Sequence, residues 1–442
     1  MKVLHIIPRW IGGGPERGIL EIARQDRARS GAIERRVVVL DKPVSAPLLV
    51  MARRLGIALV TDTDPDRLAG EIEAADIVEI TYWNHPLLLD LLRKPLPSAR
   101  FLVRSAIAGN TLPHVLFGDL VAFPDAWILS APPGHGAVLA SHAHVTHIPA
   151  LADMTRLAGY AARPHDGIRI AYLGGMFETK LHPDFADIVA QTSGAGIRFD
   201  LFGDSDAATL EILRSALAAC DVLERVTFHG HVENIADAFA EADIFAYPLT
   251  PGSYVTSEKA LQEAMWVGVP PVLLEGTAAS GWIDHGVTGF IARDIADFAR
   301  ILVLLSADTT LRRRIGEAAR AEARRRFDPS RNALAMDEVL SALLRLPKRS
   351  HPPLPGAGLS AADRFLQSLG DIAPLFLEIV DSTSDPRPPS AAWNAEILLR
   401  GEGGILHYAN SFPDDDRLLQ WADALGRPRG RARAYESRRP RP

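Results

Sequence analysis

One pattern constrains this chain more than any other: a short, wholly apolar segment runs through a glycine turn into an amphipathic helical stretch, and it does so twice. VLHIIP leads through IGGGPERG into GILEIARQDRAR, and IRIAYLGG opens a second series. A segment apolar on both faces has to be covered on both faces, which commits the chain to parallel strands with crossover helices. RRVVVL, ADIVEI, RFLVRS and AWILS continue the first series, with helical stretches such as PLLLDLLRK between them. RFDLFG, RVTFHG, DIFAYP and PPVLLEG continue the second, with HPDFADIVAQT, TLEILRSALAA and SEKALQEAMWVG as its helices. The spacing predicts two doubly wound α/β domains, at 1–160 and 161–346, the second ending in helices that return toward the first. Two such sheets facing one another place their carboxyl ends at a shared cleft, where ligands of open α/β sheets bind.

Beyond this pair, KRSHPPLPGAGLS predicts a linker over 347–360. A small α+β appendage is expected at 361–425, helical in AADRFLQSLGDIAPLFLEIV and with AEILLR and ILHYAN as a hairpin across GEGG. Its apolar residues Phe365, Leu369, Phe376, Leu377 and Ile379 would pack on the main body, join two chains as a homodimer, or meet a partner. The Arg- and Pro-rich stretch 426–442 is expected to be a disordered tail, and with Arg24, Arg27 and Arg29 it allows at most a peripheral membrane contact. A net charge of −6 gives no global attraction to nucleic acid. A single cysteine, Cys220, excludes an intrachain disulfide and a cysteine-based zinc site; together with the lack of a signal-like start or a long apolar run, it points to the cytoplasm.

The chemistry-bearing residues gather at predicted strand ends. Gly13 and Gly14 open the first helix, where bare backbone N–H groups either meet a phosphate or sugar or simply make a tight turn. Gly174 and Lys180 follow the first strand of the second half, and a lysine there can meet the charge of a leaving diphosphate. Thr256 and Ser257 fit a helix N-cap and also offer hydroxyls to a phosphate. Glu263 lies on an otherwise apolar helix face, where a ribose diol or a salt bridge would satisfy it. His85, beside Trp83 and Asn84, is either an acceptor-site or catalytic residue among sugar-binding groups or part of a packed loop. Arg104 is either a phosphate cation or a structural ion-pair partner. His135, His142, His144 and His147 lack the carboxylate partner and spacing of a ligand set, so no metal site is expected.

Over residues 1–345 the sequence resembles the retaining family-4 glycosyltransferases of the GT-B fold. The resemblance rests on IGGGPERG, YLGGMFETK, VTFHGHVENIADAFAEADIFAYP, and SEKALQEAMWVGVPPV followed by GVTGFI. It implies two Rossmann-like domains, the first for an acceptor and the second for a nucleoside-diphosphate sugar, UDP- or GDP-linked, with no other cofactor and no metal. By position it implies Lys180 on the diphosphate, Glu263 on the donor ribose, Gly13 and Gly14 near the phosphates or acceptor, Thr256 near the diphosphate, and His231 beside the nucleobase.

Three positions depart from the family pattern. Gly175 stands where the family has an arginine, Val255 where it has the first glutamate of its pair with Glu258 in place of a glycine, and Ser105 or Ala106 where it has a histidine. His85 and His114 are the nearby replacements. The expectation is a glycosyltransferase acting on a saccharide, lipid-linked sugar, natural product or protein, with a catalytically silent GT-B partner protein as the alternative.

Overall fold

The computed structural model describes the whole chain except residues 30–32, 43, 136–138, 140, 141, 178, 195, 357, 382–394 and 427–442, so the expected tail lies outside the described residues. Chain order gives β1 (Lys2–Ile7), β2 (Glu34–Val39), β3 (Ala58–Val60), β4 (Ile77–Tyr82), β5 (Phe101–Ser105), the hairpin β6 (Asn110–Thr111) and β7 (His114–Val115), β8 (Ala126–Leu129) and β9 (Val145–His147). Apart from the hairpin these form one parallel sheet in the order β3-β2-β1-β4-β5-β8-β9. A second parallel sheet has the order β12-β11-β10-β13-β14-β15, from β10 (Ile168–Leu173), β11 (Ile197–Phe202), β12 (Val226–Gly230), β13 (Ile244–Tyr247), β14 (Pro271–Leu274) and β15 (Phe290–Ala292).

Every residue of β4, β5, β8, β13 and β14 is buried, as strands covered on both faces require. Helices of the second half start where aspartate side chains accept backbone N–H bonds: Asp206 from Thr209, Asp294 from Asp297, Asp308 from Leu311 and Asp328 from Arg331.

The chain then crosses back. Helix Pro329–Leu344 buries Ala333, Met336, Leu340 and Leu343 against Val3, Ile22, Ile77 and Leu102 of the first domain. The stretch expected as a linker is fastened down: Ala99 and Arg349 exchange backbone bonds of 3.0 and 3.2 Å, buried His351 lies between Phe101 and Phe123, and Leu354 joins the first domain's core.

The appendage corrects the sequence reading. It contains helices Ala361–Ser368, Ala373–Asp381, Ala395–Arg400, Ile405–Ser411 and Asp416–Gly426 and, among the described residues, no strand. AEILLR is made of good helix formers, and GEGG turns one helix into the next rather than closing a hairpin. Phe365, Leu369 and Phe376 are wholly buried in a core shared with Leu112 and Val115 of the first domain, which leaves them no area to join two chains. Arg24 pairs with Glu21 and Asp153, and Arg29 with Asp26 and Asp337, so these two helix cations are already engaged within the fold.

Candidate functional site

Strand order reverses between β1 and β4 in the first sheet and between β10 and β13 in the second, and the carboxyl ends at these points are the ligand positions of doubly wound sheets. Two surface hollows, of about 420 Å³ beside Glu34 and Gly56 and about 390 Å³ beside Lys2 and Glu71, sit instead at the amino ends of β1 and β2. The chemistry collects elsewhere.

At the second switch point Lys180 lies between two loops. Its N–H donates to Phe177 O at 2.8 Å and its carbonyl accepts from Thr250 N at 2.8 Å, in the loop after β13. Gly174 has φ +156°, and a Cβ there would stand 3.2 Å from Lys180 Cε and 3.1 Å from Tyr172 Oη, so the glycine makes room for the lysine stem. Lys180 Nζ donates to Glu258 Oε2 at 2.8 Å, and Tyr247 Oη donates to the same oxygen at 2.5 Å. Burial alone would raise the Glu258 carboxyl, but the Lys180 charge and the two donors hold it below its usual range. Burial, with Glu258 adding to it, raises the Tyr247 phenol well above its own.

Helix Lys259–Val267 starts on Glu258 rather than on the expected cap at Thr256 or Ser257. Ser257 is used elsewhere, its Oγ accepting Ala150 N–H at 2.7 Å, and Gln262 donates to the carbonyls of Ala150 and Ser257. These bonds tie the crossing between domains to the helix start. Thr256 is buried beside them.

Glu263 is buried one turn into that helix, with Arg156 Nη1 3.7 Å from its Oε1, and burial pushes its carboxyl up to about 7 against the pull of Arg156 and Lys259. Lys259 Nζ is buried with no hydrogen-bond partner. Burial brings this ammonium down to about 8, Glu263 opposing and Arg17 assisting.

At the first switch point Gly13 caps helix Gly14–Ala28 without a side chain. The Glu16 carboxylate folds back over this helix start, accepting Ile11 N–H at 3.2 Å, and a Cβ on Gly13 would lie 2.9 Å from its Oε2; Gly14 faces open space. The Glu16 carboxyl group, which burial pushes above its usual range, therefore occupies part of the position the glycines suggested for a phosphate. Arg104 is structural: it donates to buried Glu79 at 2.7 Å, in a network with His5, Arg35 and Asp26.

His85 is wholly buried and neither ring nitrogen has a hydrogen-bond partner. Neighbouring Asn84 is fully engaged with Pro113 O, Ser368 Oγ and Tyr408 Oη, and so is an anchor for the appendage rather than a sugar contact. His114 accepts Asn84 N–H on Nδ1 and packs its ring 4.0 Å from that of Tyr254, which comes from the second domain. His231 is exposed after β12, 3.4 Å from Asp204.

His142 and His147 bind backbone carbonyls of Pro124 and Ala131. Among the described residues the one group with metal-ligand proximity is Asp41, His85 and His407, whose ligand atoms lie within 4.8 Å of one another with Arg9 between them. Gly175 has the Phe177 ring 2.6 Å from where a Cβ would start, so a longer side chain there would displace that ring.

Residues 167–308 match the family described as glycosyl transferases group 1. Among curated proteins none matches the sequence. Anabaena HepE, solved in complex with UDP, superposes with a TM-score of 0.63 at 17% identity over 77% of this chain and 100% of its own. A glycosyltransferase from Rickettsia africae gives 0.62 at 13% over 78% and 99%, and sucrose-phosphate synthase from Thermosynechococcus elongatus 0.60 at 15% over 78% and 99%. The fold is that of the GT-B glycosyltransferases. HepE has also been solved with UDP-glucose. Among the described residues no helix of this GT-B chain is long and apolar enough to cross a membrane.

The sequence singles out Lys180, Glu263 and His85, and the fold places Lys259 and Tyr247 beside the first two and Tyr254, Glu402 and His407 near the third. Lys259 was legible as a cation next to the family motif. The two appendage residues carry no signal until the fold brings them to the cleft.

Proposed function

We propose that the protein transfers a sugar from a nucleoside diphosphate, UDP- or GDP-linked, to a hydroxyl of an acceptor held by the first domain, with retention of configuration and without a metal. The observation that carries this reading is Lys180 at the β10–β13 switch point, inside the segment that matches the glycosyl transferases, with the buried Glu263 on the helix that follows. Lys180 would meet the diphosphate and Glu263 the ribose hydroxyls, whose two O–H donors suit a carboxyl group whose ion-pair partner Arg156 stands 3.7 Å away.

In the reaction the bond from the anomeric carbon to the diphosphate oxygen breaks, the acceptor oxygen bonds to that carbon, and the acceptor proton passes to the departing phosphate. A protein base is then unnecessary. His85 suits this economy, because burial, with His407 and Arg9, brings it down to about 2, leaving a ring that stays uncharged near neutrality and orients a hydroxyl without taking up its proton. A cytoplasmic setting agrees with a nucleotide-sugar donor.

The Lys180–Glu258 ion pair favours one alternative, a silent GT-B protein whose diphosphate cation is already neutralised. Calorimetry with UDP and GDP on the wild type, Lys180→Ala and Glu263→Ala, followed by turnover of the matching sugar donors, separates the two. The transferase reading expects one nucleotide to bind, each substitution to weaken it by about tenfold or more, and slow donor hydrolysis. Binding without any turnover favours the silent protein, and no binding at all rejects the donor site.

A further inference from the structure

The C-terminal helical unit meets the first domain at the carboxyl ends of its central strands. Arg9 follows β1, Asp41 follows β2 and His85 follows β4, whereas Glu402 and His407 come from the turn after helix Ala395–Arg400 and from helix Ile405–Ser411. Arg9 donates from Nη1 to Glu402 at 2.8 Å and from Nε to Asp41 at 3.4 Å, while its Nη2 stands 3.1 Å from His407 Nε2. The His85 and His407 rings meet edge-on at 4.5 Å, and His85 Nε2 is 3.8 Å from Asp41.

Hydrogen bookkeeping leaves this cluster incomplete. Gly403 N–H donates to His407 Nδ1 at 2.9 Å, so a neutral ring carries its proton on Nε2, and that N–H then faces an N–H of Arg9. Burial and the charge of Arg9 bring His407 down to about 4, which keeps it neutral. Asn84 fixes the His114 tautomer in the same way and leaves its Nε2–H directed at the Glu402 backbone carbonyl. The buried Trp83 Nε1–H lacks a partner, and so do both nitrogens of His85. Buried polar atoms are seldom left like this unless water or a ligand completes them.

The missing group has to offer oxygen lone pairs to N–H donors and O–H groups to Asp41, Glu402 and His85. A dication would have to displace the Arg9 guanidinium, and an anion would meet two carboxylates. A neutral polyhydroxyl compound fits both demands. The place fits too: Tyr254, against His114, belongs to the segment that leads directly to Glu258 and Lys180.

We propose that the C-terminal helical unit is a working part of the acceptor site, Glu402 and His407 joining Arg9, Asp41 and His85 in a subsite for the hydroxyls of a neutral sugar. The subsite rests on the transferase reading for its role, but its occupancy is separately measurable. Saturation-transfer NMR on the full chain with a panel of methyl glucosides, galactosides, mannosides and N-acetylhexosaminides gives the direct readout. Calorimetry with UDP and GDP and thermal melting on the same samples monitor the donor half and the fold.

At least one glycoside is expected to bind the wild type and to weaken by about tenfold in Glu402→Gln and in His407→Gln, with nucleotide affinity and melting little changed. Absence of any glycoside signal in the wild type, or equal binding by folded variants, overturns the subsite. Glycoside binding that Glu402→Gln abolishes, in a protein that binds no nucleotide, keeps the subsite and rejects the transferase reading instead.

Discussion

A buried carboxyl and a buried ammonium share the first turns of helix Lys259–Val267, and each is displaced toward its neutral form. For Glu263 the folded value of about 7 lies above the ordinary 4.5, so between these two pH values the folded protein holds a proton that the unfolded chain has released. Its contribution to stability therefore grows as pH falls through that window and is a cost above it. Glu263→Gln should raise stability at pH 8 by about 1–3 kcal/mol and change it little at pH 4.5, while weakening UDP binding. Melting curves at the two pH values, paired with calorimetry, check both halves. The cleft histidines act in the opposite sense. His85, His114 and His407 are lowered by burial from 6.5 to about 2, 3 and 4, so the unfolded chain takes up protons that the folded one refuses, and stability falls as pH drops below 6.5. His407→Gln should flatten the stability profile between pH 6.5 and 4 by one proton, about 1.4 kcal/mol per pH unit, in denaturant titrations across that range.

The turn between helices Ala395–Arg400 and Ile405–Ser411 shows how an element can be decided by one residue. Gly403 has φ +74°, and a Cβ on it would stand 2.1 Å from the Asn84 carbonyl oxygen. Gly403→Ala should therefore lift the turn off the first domain, costing roughly 2–4 kcal/mol and opening the appendage to limited proteolysis, with UDP affinity unchanged. The same turn marks the limit of what the sequence makes legible. Apolar runs such as VLHIIP and DIFAYP are readable as strands because segments buried on both faces carry no polar alternation, and most strands of the two sheets coincide with such runs, while their order within each sheet comes from the fold. The three-residue edge strands Ala58–Val60 and Val145–His147 carry no such run, and AEILLR is too short for period to separate helix from strand. Lys180 and Glu263 stand out in the sequence because they fall in stretches that resemble a known pattern. Glu402 and His407 belong to the cleft through tertiary packing alone, which a local pattern does not encode.

Taken whole, the chain runs from the first domain to the second, returns along helix Pro329–Leu344, and finishes with the strap at 349–354 and the helical unit, both on the first domain. Three core clusters therefore belong to the first domain and its coverings, and the large cluster around Phe199, Phe239 and Phe245 to the second. Among the described residues these two masses meet through polar contacts of Ala150 with Ser257 and Gln262 and of Ala108 with Tyr254, and through Tyr254 and Ala278, which pack on the first-domain core. Heating should accordingly unfold them in two steps. A nucleotide held by Lys180 and Glu263 stabilises only the mass that carries those residues, so UDP at a hundred times its dissociation constant should add about 2.7 kcal/mol to the second-domain step. Differential scanning calorimetry should show that step rising by roughly 5–10 °C while the first-domain step stays in place. Equal movement of both steps would instead mean that nucleotide closes the cleft so firmly that Tyr254 and His114 unfold together.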